Sequence, residues 1–106
     1  MDAYEIAQVE ADRVAAGRLY QEFLRVPSIS AGLYVLEAGA DDPQGPHRED
    51  EIYYVIAGRA RVHVDGEDRA VRAGSVVYVA RHVEHRFHSI EQRLELLVAF
   101  APAETE

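Results

Sequence analysis

The chain contains no cysteine. Disulfides, thiolate zinc sites and cysteine nucleophiles are therefore excluded, and the absence fits a reducing compartment. Lysine is missing too: all 11 basic residues are arginines, set against 19 aspartates and glutamates, for a net charge of −8. An acidic chain without a basic cluster argues against nucleic acid and against membranes as partners. No apolar run approaches the ~20 residues of a membrane span. The opening "MDAYEIAQVEADRV" lacks a charged-then-apolar leader pattern. A cytoplasmic protein is expected. There is no G-x-S-x-G stretch for a serine nucleophile. The glycines are scattered singly at turns, so no phosphate-cradling loop is present.

What remains is a chain of 106 residues, 48% of them hydrophobic, which suits one domain with a real core. Residues 1–17 are expected to be helical. Asp2 and Glu5 have capping-box spacing, Ala7, Ala11, Val14 and Ala15 recur at helical intervals, and Gly17 is a stop. Residues 18–103 change character. Short apolar or alternating runs alternate with turn residues: "RLYQEFLRV", "ISAGLYVLEAG", "EIYYVIAG", "RARVHVDGE", "SVVYVARH", "HRFHSI" and "LELLVAF". Asp65-Gly66 is a strong hairpin turn. Gly58 is read as a turn as well. Many short strands at close intervals predict an all-β sandwich or barrel.

The stretch "PHREDEIYYVIAG" crowds one imidazole and three carboxylates before a run that should be buried. Pro46 suits the first residue of a strand. His47 and Glu51, four apart, share a face on either a helix or a strand. Glu49 has the same parity, whereas Arg48 and Asp50 face away. For His47-x3-Glu51 alone, a solvated acidic turn is the stronger account. His82, His85 and His88 lie close together, with His85 and Phe87 on one face. Surface positions are the simpler reading for His82, His88 and His63. Glu49, Asp50 and Glu51 cannot act as a glycosidase pair, because adjacent carboxylates do not flank a sugar from opposite sides.

Together these features resemble the cupin family. Gly39, His47, Glu51 and Gly58 fall in the frame of its first motif, G-x5-H-x-H-x3-E-x6-G. Gly74 and His85 fall in that of its second, G-x5-P-x-G-x2-H-x3-N. Ala80, His82 and Ser89 replace the Pro, Gly and Asn. The resemblance spans about Leu19 to Pro102. It implies a double-stranded β-helix, or jelly-roll barrel, with a short N-terminal helix. It also implies one divalent metal ion (Fe, Zn, Mn or Ni) held by His47, Glu51 and His85. The first motif histidine falls on Gly45, so one family ligand is missing. Two imidazoles and a carboxylate are still a recognised set for iron or catalytic zinc, and Glu49 or Gln44 is a possible substitute. Glu49 is expected as the carboxylate for proton transfer. Tyr53, Val55, Phe87, Phe23 and Tyr34 are expected to line the pocket. The resulting expectation is a metal-binding cupin that acts on, or binds, a small organic molecule, and forms a homodimer. The alternatives are a non-catalytic sensor with a weak or relict site, and a structural protein.

Overall fold

A computed structural model describes residues 1–105. One helix, α1 (Ile6–Ala16), precedes six strands: β1 (Tyr20–Val26), β2 (Ile29–Leu36), β3 (Asp50–Val64), β4 (Glu67–Arg72), β5 (Val76–Val79) and β6 (His85–Ala101). All pairings are antiparallel, in the order β1-β2-β6-β3-β4, with β5 on the free side of the first half of β3. Among the described residues, no helix is long and apolar enough to cross a membrane.

β3 and β6 are the frame. They pair along their whole length, from Asp50↔Ala101 to Val64↔His85, with register shifts near Ala57 and Arg59. Such irregularities bend a sheet and let it wrap. The sequence reading broke each of these strands in two; both run on through the expected breaks. Gly58 is a bend within β3, not a turn. Its φ is 102°, and a Cβ there would lie 2.2 Å from the Arg93 carbonyl oxygen of β6. Only glycine allows that approach. Asp65 and Gly66 both have positive φ, 49° and 82°, as a type I′ hairpin requires.

Alternation sorts the side chains. On β3, Glu51, Tyr53 and Val55 are buried, while Ile52 and Tyr54 are exposed. The inner set joins Tyr34, Leu36, Phe87, Leu94, Leu96, Val98 and Phe100 in the main core. A second, smaller cluster lies under the helix: Val9, Leu33 and Val35, with Ile6, Phe23 and Ile56 against them.

Phe23 is therefore corrected. It was expected in the pocket wall but packs under the helix, 5.0 Å from the ring of Tyr4. The reason is that Tyr20 takes the inner face of β1, so a residue three further on points outward. The helix is also corrected. It starts at Ile6, with Glu5 as N-cap and no side-chain cap bond. Its buried stripe is Val9 and Arg13, with Ile6 beside them, not the expected alanines and Val14. Ile6 and Val9 bury far more apolar area than alanines can. Arg13 is tolerated because Glu10 and the Arg18 carbonyl take its guanidinium. Gly17 does end the helix, in the left-handed conformation.

Candidate metal centre

Three elements bring His47, Glu51 and His85 together at one end of the barrel. Glu51 is on the inner face of β3, and His85 is the first residue of β6. His47 is not on a strand: the chain from Asp41 to His47 is irregular, and β3 begins only at Asp50. Strand parity thus does not orient it. Its carbonyl instead accepts a 2.7 Å hydrogen bond from the His82 N–H, in the turn before β6. Its ring packs edge-on against Phe100, centroids 4.9 Å apart.

One ligand atom from each of the three lies within 4.8 Å of the others. His85 Nε2 is 2.8 Å from Glu51 Oε1, and His47 Nε2 is 4.0 Å from the same oxygen. The side chains of Glu51 and His85 are 1% and 0% exposed. No arginine takes part. The outer ring nitrogens are engaged elsewhere: His85 Nδ1 meets the Val83 carbonyl at 2.9 Å, and His47 Nδ1 meets Glu104 at 3.3 Å. Such outer partners fix a tautomer and aim Nε2 inward. Glu51 Oε2 is buried without a hydrogen-bond partner. An unpartnered carboxylate oxygen costs energy unless a cation meets it. The donor set thus fits a divalent metal, with two imidazole nitrogens and one carboxylate.

Protons meet the same need in the metal-free protein. Burial works against a charged His85, but its bonds to Glu51 and the Val83 carbonyl outweigh that and raise its pKa. Glu104 raises the pKa of His47 most, burial opposes it, and Glu51 adds to the rise. Metal binding must therefore displace protons.

The remaining expected residues are placed as follows. Tyr53, Val55, Phe87 and Tyr34 belong to the core around the trio. Tyr53 Oη lies 3.1 Å from His85 Nε2 and donates to Gln44 Oε1 at 2.7 Å. Burial, then the charge of Glu51, holds its phenol well above the usual range. Glu49, expected as the proton-transfer carboxylate, is outside the group that can share an ion. It is buried, and its Oε2 accepts from the Thr105 N–H and hydroxyl at 3.2 and 2.7 Å. The C-terminal segment folds back over it and takes it for structure.

Two residues escaped the sequence reading. Asp42 pins the irregular loop: its carboxylate accepts from the Tyr34 hydroxyl (2.6 Å), the Gln44 N–H (3.2 Å), the Gln44 side-chain amide (2.7 Å) and the Phe87 N–H (2.9 Å). An aspartate two residues before a bonded N–H is an Asx turn, and "DDPQGP" carried that signal. Glu104 carried none, because its contact depends on how the tail returns. Its N–H donates to Ser30 Oγ at 2.8 Å, and Arg25 donates to its carbonyl at 2.6 Å. A cavity of about 240 Å³ opens between the tail and the loop. Leu19, Tyr20, Tyr34, Pro43, Val98 and Phe100 supply its walls, with Gln44, His47 and Glu104 as the polar members.

A wrapped antiparallel barrel with a His-Glu-His cluster at one end defines a double-stranded β-helix protein. The Cupin domain family matches residues 32–100. The chain belongs to the cupin family. It is 46% identical to an uncharacterized protein of Streptomyces coelicolor over 105 residues, covering 99% of this chain and all of that one. An RmlC-like cupin from Shewanella frigidimarina superposes with a TM-score of 0.71 at 27% identity, over 79% of this chain and 75% of that one. A cupin 2 conserved barrel domain protein from Salinispora arenicola gives 0.68 at 23% identity, over 77% and 73%. The departures at His82 and Ser89 now have a physical account. Both have positive φ, 64° and 50°, a backbone conformation that Gly and Asn adopt readily.

Proposed function

We propose that the His47–Glu51–His85 centre holds one divalent metal ion and serves a small organic molecule that enters through the cavity beside Glu104. The observation that carries this is the orphaned Glu51 oxygen beside two imidazoles whose outer nitrogens are already tied. When bound, the ion would supply Lewis-acid polarisation of a ligand oxygen. The chain itself does the rest. The outer contacts with Val83 and Glu104 aim the imidazoles, Tyr53 holds a hydroxyl beside His85, and apolar residues line the cavity next to His47. The walls are mostly apolar with Gln44, His47 and Glu104 as polar members, which suits a small organic molecule.

Metal analysis tests the reading. The purified protein should carry, or take up, stoichiometric Fe, Mn, Zn or Ni, and His47→Ala, Glu51→Ala and His85→Ala should each lose it. A wild-type protein that takes up none of them would sink the proposal. A second reading, a metal-dependent binder without turnover, is favoured by the position of Glu49, which lies outside the group that can share an ion and has its Oε2 held by Thr105. Bound metal with no reaction across a broad substrate panel would decide for it.

A further inference from the structure

We infer that Gln44 supplies a fourth, neutral oxygen ligand to the metal centre, in place of the imidazole missing at Gly45; this rests on the metal reading above. Gln44 precedes Gly45 in the irregular loop, and its orientation is not free. The amide Nε2 donates to Asp42 Oδ2 at 2.7 Å, and its backbone N–H donates to Asp42 Oδ1 at 3.2 Å. A carboxylate accepts only from the NH2 end, so Asp42 forces the carbonyl end the other way. That end, Oε1, lies 3.2 Å from His47 Nε2.

The distance suits two neighbouring ligands. Atoms held about 2.1 Å from one ion at tetrahedral or octahedral angles lie about 3.0–3.4 Å apart. The chemistry suits it as well. In the metal-free protein the His47 Nε2–Gln44 Oε1 contact is a hydrogen bond, and a cation can take the place of its proton. A bare nitrogen and a carbonyl oxygen facing each other repel unless a proton or a cation lies between them. Tyr53 occupies one lone pair of Oε1, at 2.7 Å, and the carbonyl has a second. Asp42 is itself held by Tyr34 and the Phe87 N–H, so the carbonyl is positioned from two strands.

Zinc binding by a competing chelator, together with carbon NMR of the intact wild-type protein, tests this. Gln44→Ala should keep its fold by circular dichroism and raise the zinc dissociation constant about tenfold or more. Zinc should also shift the Gln44 Cδ resonance of the wild type, alongside the His47 and His85 ring signals. Unchanged affinity in Q44A overturns the assignment. So does a Gln44 Cδ signal that stays put while the histidine signals move, a result that leaves the metal reading standing. If Q44A does not fold, the resonance alone decides. A wild-type protein that takes up no zinc, iron, manganese or nickel overturns both.

Discussion

The molecule contains two histidine–carboxylate groups, and they behave as opposites. The inner one is His47, Glu51 and His85. The outer one is Asp68 with His88 at 2.6 Å, Arg61 at 2.6 Å and His63 at 3.8 Å. Both set imidazoles against a carboxylate. In the outer group, Asp68 has one oxygen on Arg61 and the other on His88, so its charge is met by the protein. In the inner group no arginine arrives, and one carboxylate oxygen is left with no partner. The outer group is a satisfied surface network. The inner one is unfinished without a proton or a metal. A cluster of ligand-type residues is thus a site only when the fold withholds the counter-charge.

The comparison breaks most sharply at the carboxylates. Glu51→Ala should abolish metal uptake. It should also destabilise the metal-free protein by about 1–3 kcal/mol, because buried His85 loses its carboxylate partner. Asp68→Ala should leave uptake untouched. Metal titration and thermal melts of the two variants read both effects, and equal losses of uptake would end the distinction. Next in size is Gly45→His. Nothing lies within 4 Å of a Cβ built there, so the side chain can enter. It should tighten zinc binding about tenfold and restore Q44A towards wild type. Failure of the double variant to recover would show that Gly45 does not face the centre.

A pH series comes third. His85 has a raised pKa in the folded, metal-free protein. The stability it contributes is complete below its unfolded value of about 6.5, and is lost as pH rises through the folded value. The metal-free melting temperature should therefore fall as pH rises from about 6.5. The zinc-loaded protein should lack this decline, because the ion takes the proton's place. A flat metal-free profile would contradict the pairing with Glu51. The smallest effect is expected at the outer group. Arg61, and after it His88, holds the Asp68 carboxyl below its usual range. Asp68→Asn should lower the melting temperature only slightly at neutral pH, since the group is exposed, and the difference from wild type should vanish at acid pH, where that stabilisation is lost as the carboxylate protonates.

Much of the inner group was legible before folding. His47, Glu51 and His85 stand in the family frame, and alternation along "EIYYV" assigned Glu51, Tyr53 and Val55 to one face. What period and spacing do not encode is where irregular chain goes. Gln44 became visible as a placed oxygen only through Asp42, whose partners lie on β2 and β6. Glu104 and the capture of Glu49 by Thr105 depend on the return of the tail. Phe23 and the helix stripe were misread because both turn on which residue of β1 faces inward. The single continuous β3 was hidden by Gly58, since a glycine in a strand reads alike as a turn or as room for another backbone.

Gly32 on β2 meets neither group. A Cβ built there would lie 2.4 Å from the Tyr20 ring, which rests directly on it. The same ring forms part of the cavity wall. Adding one methyl at Gly32 would tip the ring away from its seat and reshape the opening, although no ligand-type side chain touches Gly32 itself. The aperture is therefore tunable from behind: the size of molecule admitted can drift, or be engineered, at a position no bound molecule would ever touch.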